Sequence, residues 1–289
     1  KTHAKEYLIY PNNVSEQLSI DETAFTNGEL YTIVTNKQAK GKKGCIVAIV
    51  KGVKVDQVTD CLKLIPKTQR DKVQEITLDM AHTMVNICKN VFPKAEQVTD
   101  RFHVQKLANE AVRNIRIKYR WEALDQENKL FKKAKKDRKT YTPLILTNGD
   151  TVKQLLARSR YLLFKHYSKW TNKQKERAAI LFDKYPKIEQ AYNLSMRLFS
   201  IYQNTQDKGV AFTKLAQWYN TVEKSGSKNF NTVTRTIQQH YRSILNYFDN
   251  RSTNASAESF NAKIKAFRTQ FRGVRDVNYF LFRLEKIFA

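Results

Sequence analysis

An α/β fold built on a mixed sheet is predicted by three features of this 289-residue sequence. Residues 17 to 103 alternate short apolar, β-branched runs with amphipathic stretches. Residues from about 104 to 250 keep helical spacing with no strand-like run, and 254 to 288 returns two further helices. A hydrophobic content of 41% supplies enough apolar side chains for a real core and excludes disorder of the whole chain.

The strands can be read in order. QLSIDETAF alternates Leu18 and Ile20 with polar residues, and LYTIVTN follows after a turn at Asn27 and Gly28. GCIVAIVKG is a continuous β-branched run of the kind buried on both faces of a sheet. DQVTDCLKLI then carries helical spacing at Val58, Leu62 and Ile65 and is closed by Pro66. EITLD is the fourth strand, AHTMVNICKNVF a helix stopped at Pro93, and AEQVTD the fifth strand. Three hairpin-type strands followed by strand, helix and strand is the order of a ribonuclease-H-like core, so a mixed five-stranded sheet flanked by helices is expected.

Beyond it, a helix opens at Val104 with Leu107, Ala111 and Ile115 on one side. Thr171 and Gln174 have capping-box spacing ahead of Ala178, Leu181 and Phe182. Further helices are expected over 187 to 203, 209 to 223 and 231 to 248, and a loop over 140 to 150. The whole reads as a large all-helical insertion. In the last segment Ala257, Phe260, Ile264, Phe267 and Phe271 form one apolar stripe.

Charge narrows the partner. Lysine and arginine number 52 against 27 acids, a formal net charge of +25, which calls for a polyanion. Nucleic acid ranks above an anionic membrane because no apolar run approaches the roughly 18 residues of a spanning helix. Cys45, Cys61 and Cys88 are odd in number and lack metal-ligand spacing, so neither a disulfide framework nor a structural zinc site is indicated. No secretory signal is visible, which points to a reducing, cytoplasmic setting. Residue 1 is not Met and falls inside a basic, aromatic stretch, as if a longer protein had been cut there.

Three acids stand out. Asp21 closes the apolar alternation of the first strand, and Asp79 closes EITLD. On neighbouring strands they would emerge together. Glu258 lies off the stripe of Phe260, Ile264 and Phe267, with Lys265 two helical turns later on the same side. Three such carboxylates suit two Mg²⁺ (or Mn²⁺) ions about 4 Å apart, one activating the nucleophile and the other stabilising the departing oxygen. Glu22 alternates to the other face of its strand and His82 follows Asp79 by three residues; both are auxiliary candidates. Asp100 and His103, in the run Asp-Arg-Phe-His, either orient groups near the cations or cap the next helix. Trp121, Trp170 and Trp218 sit in amphipathic helices, where core packing is the ordinary role and stacking on a flipped base the functional one.

SIDETAF, LDMAH, VFPKAEQVTDRFHVQKLANEAV, SRYLLFKHYSKWTNKQKERAAILFDKYPKIEQAY and NASAESFNAKIKAFR resemble, in order, the blocks of the ISL-three insertion-sequence transposases, a DDE family. The resemblance runs from about residue 15 to the end. It implies a ribonuclease-H-like catalytic domain interrupted by a helical insertion before the last acid, with Asp21, Asp79 and Glu258 as first, second and third catalytic positions. It also raises the weight of Asp100 and His103, because related families carry Asp-x-x-His there. The expected organisation is an N-terminal segment, 1 to 14, leading from an upstream DNA-binding region; catalytic core at 15 to 110; insertion at 111 to 250; and the rest of the core, with the Glu258 helix, at 251 to 289.

The reaction implied is cleavage at the ends of a transposon followed by strand transfer into target DNA. The partner is double-stranded DNA, with a homodimer on paired ends and the bacterial nucleoid as the place of action. Arg101, Arg113, Arg116, Lys118, Arg120, Lys132, Lys133, Lys135, Lys136, Lys263 and Lys265 are expected to grip phosphates without reading bases. The alternatives are an inactive DNA-binding descendant of a transposase and a ribonuclease-H-like nuclease without strand transfer.

Overall fold

The computed structural model describes residues 6–24, 29–253, 255–270 and 277–289; the side chains of 256–258, 270, 277 and 278 are outside the description. Two compact units emerge, one comprising 1–103 with 240–289 and the other 104–239.

The first unit opens with β1 (Tyr7–Ile9), β2 (Gln17–Ala24), β3 (Leu30–Asn36) and β4 (Ile46–Lys51). Helices α1 (Val55–Leu62) and α2 (Lys67–Arg70) lead to β5 (Glu75–Leu78), α3 (His82–Val91) and β6 (Glu96–Thr99). The sheet order is β1-β4-β3-β2-β5-β6. β2 is antiparallel to β3 and β3 to β4, whereas β5 is parallel to both β2 and β6. The sheet therefore has six strands and not the expected five. Tyr7–Ile9, read from sequence as a lead-in, pairs antiparallel with β4, so the main-chain groups of the sheet's outer hairpin strand are satisfied on that side.

The two sides of β3 and β4 face two different cores, whereas β2 and β5 contribute apolar residues to one of them. Leu18, Ile20, Val34, Ala48, Val50, Ile76 and Leu78 pack against Val58 and Leu62 of α1 and against Met84, Ile87, Cys88 and Val91 of α3. Tyr31, Ile33, Ile46 and Ile49 form a second core on the other side, which the last helices cover. Those are α12 (Ala255–Gln270) and α13 (Val277–Phe288), contributing Phe260, Ile264, Phe280, Leu281 and Leu284. The apolar stripe is seen at Phe260, Ile264 and Phe267; Phe271 and the side chain of Ala257 lie outside the described residues.

Helix α4 (Arg101–Lys136) starts directly after β6 and ends shortly before the loop expected over 140 to 150. Then come α5 (Val152–Arg158), α6 (Asn172–Lys184), α7 (Pro186–Asn204), α8 (Lys208–Ser225) and α9 (Lys228–Gln239). The capping box at Thr171 forms as read: its hydroxyl accepts the Gln174 N–H at 3.3 Å and its own N–H donates to Gln174 Oε1 at 3.1 Å. Helix α5 was not read from the sequence, although Thr151 and Gln154 cap it with the same motif. The helix expected over 231 to 248 breaks into α9, α10 (Tyr241–Leu245) and α11 (Tyr247–Asn250), because His240 leaves helical geometry at φ −109°, ψ 17°. Among the described residues no helix is long and apolar enough to cross a membrane.

Candidate active site

The parallel pairing of β2 with β5 sets the geometry. Ser19 is opposite Thr77 in that register. Two residues further along each chain stand Asp21 and Asp79, so alternation returns both to the face on which Ser19 and Thr77 point. Asp21 is not at a strand end, as the sequence pattern had suggested: β2 continues to Ala24, paired with β3. The strand that stops is β5, at Leu78, which leaves Asp79 at the rim.

Both carboxylates are half-buried. Asp21 Oδ1 accepts the Glu22 N–H at 2.8 Å, and Asp21 Oδ2 accepts Nδ2 of Asn261, from α12, at 2.7 Å. Asp79 Oδ1 accepts the Ala81 N–H at 2.9 Å, turning the chain into α3. Burial pushes the Asp21 carboxyl above its ordinary pKa; the Glu22 N–H and nearby His103 work against that, while the Asp79 and Glu22 charges add to it. Asp21, Asp79 and His103 thus share one electrostatic neighbourhood. Glu22 is exposed and directed away from it by strand alternation.

The Asp-Arg-Phe-His run divides its duties. Asp100 is buried, donates its N–H to Leu78 O at 3.1 Å and accepts the Phe102 N–H at 3.2 Å, so it ties the start of α4 to the end of β5. Arg101 lies over the Phe102 ring, 4.9 Å from its centroid. His103, one turn on, is the member felt by Asp21. On the Asp79 side, His82 is exposed and its ring sits 5.5 Å from that of His240. Burial lowers the His240 pKa, the His82 ring lowers it further, and Asp79 acts in the opposite sense.

Sequence reasoning missed three participants. His240 carried no signal, being placed inside a continuous helix. Asn261 did carry one, since it stands a helical turn after Glu258 and before Lys265, but a neutral amide attracted no notice. The third is a buried knot lower on the same face of the sheet: Lys37 Nζ donates to Glu75 Oε1 at 3.1 Å and to Thr77 Oγ1 at 2.8 Å, and both Lys37 and Glu75 hold Ser252. It fastens the chain just ahead of α12 to the sheet.

Glu258 belongs to α12, but its side chain lies outside the described residues. Among the described residues no three His, Cys, Asp or Glu side chains come together as a metal site. The donors present are the hard carboxylate oxygens of Asp21 and Asp79, suited to Mg²⁺ or Mn²⁺ rather than a soft metal.

Of the expected phosphate contacts, Lys263 and Lys265 lie exposed on α12, Lys263 donating to Gly41 O at 3.1 Å. Arg113, Lys118, Arg120, Lys132, Lys133, Lys135 and Lys136 are exposed along α4. Arg116 is a correction: it is 4% exposed and donates Nη1 to Leu156 O at 2.7 Å. It occurs on the helical face that α5 covers, so its charge is spent capping a main-chain carbonyl inside the helical unit. Trp218 is core, with Nε1 donating to Leu194 O at 2.9 Å; Trp170 packs on Tyr192, and Trp121 is exposed.

Comparison with known proteins settles the class. The sequence profile described as Transposase, that of the ISL3-type DDE enzymes, matches residues 18–284. The chain is also 22% identical over 277 residues to the transposase for insertion sequence element IS1001 of Bordetella parapertussis, covering 94% of this chain and 61% of that relative. The chain is therefore related by descent to transposases. It belongs to the ISL3 family of DDE transposases, as its sequence blocks had indicated. The chain spans about three fifths of the length of the relative it matches. No solved structure matches it.

Proposed function

We propose that this chain is the catalytic part of a DDE transposase that cleaves double-stranded DNA at transposon ends and joins the freed 3′ ends to target DNA, using divalent cations held by Asp21, Asp79 and Glu258. The observation that carries the reading is the parallel β2–β5 register, in which Ser19 is opposite Thr77 and Asp21 and Asp79 follow two residues later on each chain. Support for Glu258 comes from its helix: α12 is seated on Asp21 through Asn261, and position 258 is one turn earlier in that helix.

The order β4-β3-β2-β5-β6, with an antiparallel hairpin half and a parallel half, supports a ribonuclease-H-like core carrying one extra edge strand, β1. The donor set fits Mg²⁺: two carboxylates, neither in a salt bridge among the described residues, offer hard oxygen donors in one electrostatic neighbourhood. When bound, the cations supply Lewis-acid charge that stabilises the oxygens on either side of the scissile phosphorus. The protein's share is to bind and align. Asp21 is clamped through both oxygens, and His103, within the same electrostatic neighbourhood, contacts a phosphate oxygen. The exposed lysines and arginines of α4 and α12 hold the backbone of the duplex.

The test is cleavage of a duplex bearing the element's terminal repeat, in Mg²⁺, by the unmodified chain and by Asp21→Asn, Asp79→Asn and Glu258→Gln. Each variant is expected to lose at least about a thousandfold in rate, the scale seen when a central electrostatic group is removed. DNA affinity should stay close to that of the unmodified chain and fall steeply between about 50 and 200 mM salt. Undiminished cleavage by any one variant removes that residue from the site.

A further inference from the structure

Asn261 comes from a part of the chain 240 residues away from Asp21, is 8% exposed, and delivers its amide N–H to a single carboxylate oxygen at 2.7 Å. The other oxygen of Asp21 is occupied by the N–H of Glu22 at 2.8 Å. A carboxylate offers about four lone-pair positions, two per oxygen. With one donor from the described residues on each oxygen, the group cannot rotate about its Cβ–Cγ bond without breaking a hydrogen bond, and among the described residues each oxygen keeps one acceptor position open.

The chemistry of the donor matters as much as its reach. An arginine or lysine at this position would pair with Asp21 and cancel the charge a cation needs. An acid would repel it. An amide orients the carboxylate while leaving its charge intact. Asn261 is itself held by a helix whose neighbouring turn is anchored: Phe260 and Ile264 are fully buried against Ile33 and Ile49. Ile33 is the cross-strand partner of Asp21, so the apolar seat of the helix and the polar contact fall at the same level of the sheet.

We propose that Asn261 is a positioning residue for metal capture: it fixes the rotation of the Asp21 carboxylate so that each oxygen presents its free lone pair to a divalent cation, and it locks the turn of α12 that carries Glu258 to that carboxylate. This rests on the cation-binding role of Asp21 proposed above. Asn261 touches neither DNA nor the reacting phosphate in this assignment; it acts through Asp21.

The experiment titrates the full chain with Mn²⁺, following the free ion by electron paramagnetic resonance, and measures the Mg²⁺ concentration for half-maximal cleavage in parallel. Asn261→Ala and the volume-conserving Asn261→Leu are compared with the unmodified chain and with Asp21→Asn. Loss of an outer hydrogen-bond partner of a metal ligand weakens metal binding by about 10–100-fold. Both Asn261 variants are expected to show at least about a tenfold weaker Mn²⁺ affinity. Their half-maximal Mg²⁺ concentration should rise in step, while cleavage at saturating metal falls less. Thermal melting in EDTA identifies the variants that fold.

If a folded Asn261 variant binds Mn²⁺ as tightly as the unmodified chain while Asp21→Asn does not, the positioning role is overturned and the metal site stands. If Asp21→Asn also binds Mn²⁺ unchanged, the metal-site reading falls, and this inference with it. Should Asn261→Ala unfold, the Leu variant decides alone: weakened binding with an intact melt supports the role, and unchanged binding ends it.

Discussion

Buried charge is treated in opposite ways in the two units of the molecule. In the helical unit the buried carboxylate is closed by the protein itself: Asp150, 1% exposed, is held by Arg158 and by Arg177 Nε at 2.9 Å. The sheet unit closes one such group in the same manner, Glu75 with Lys37 at 3.1 Å. At the rim of the same face it does the reverse. Asp21 and Asp79 share an electrostatic neighbourhood, and among the described residues neither forms a salt bridge. One chain thus contains both solutions, and the unneutralised acids are the ones to which the proposed function assigns the chemistry.

The largest expected effect lies in the helical unit. Asp150→Ala leaves two guanidiniums without their acceptor and should destabilise the protein by about 3 kcal/mol, the lower end for breaking a buried pair, since Arg158 is partly exposed. Urea unfolding measures it. Burial works to raise the Asp150 pKa, but Arg177 and Arg158 outweigh it and hold the carboxyl below its ordinary value. The stabilisation is therefore complete above the ordinary carboxylate range and lost as pH falls through the lowered value. An acid titration of stability should show that loss in the unmodified chain and a flatter profile in Asp150→Asn.

A somewhat smaller loss, about 2–3 kcal/mol, is expected for Lys37→Met, which removes the cation from Glu75 and leaves it the Ser252 and Asn250 donors. That variant sharpens the comparison, because it asks whether a paired acid in this unit behaves like Asp150. If urea unfolding shows no loss, the contrast is between units and not between paired and unpaired acids.

The next effect has the opposite sign. The folded pKa of Asp21 is raised, so its contribution to stability is present below the ordinary carboxylate value and disappears as pH rises. Asp21→Asn should accordingly raise the melting temperature in EDTA at neutral pH, with the gain vanishing in acid. A lowered melting temperature at neutral pH would break the comparison.

The smallest effect concerns His240, whose folded pKa is lowered, chiefly by burial. Its contribution is present above the ordinary imidazole value and lost as pH falls through the lowered one. His240→Asn should make stability change less between pH 7 and 5, as scored by thermal melts at each pH.

Much of this was legible before any coordinates. Strands at 17–24, 30–36 and 46–51 follow from β-branched alternation, and the capping box at Thr171 follows from a hydroxyl and an amide three residues apart. Such signals are local, and local geometry alone produces them. Asp21 and Asp79 could be singled out as acids where apolar runs stop and Glu258 as an acid off an apolar stripe, their roles remaining a proposal, and the family blocks spanned nearly the whole chain.

What the sequence left undecided depends on residues meeting across long separations. That Tyr7–Ile9 would pair with β4 has no local signature, because an edge strand is defined by its partner. Arg116 and Lys118 read alike as members of a basic helix; only the packing of α5 buries one and exposes the other. Asn261 and Asp21 become partners only because a helix folds back over a sheet, and His240 meets His82 only because a helix breaks there. Sequence sets the preferences of each segment through propensity and periodicity. The register between strands, the seat of α12 and the pairing of buried charges come from tertiary packing, since each is a relation between surfaces that neither segment holds alone.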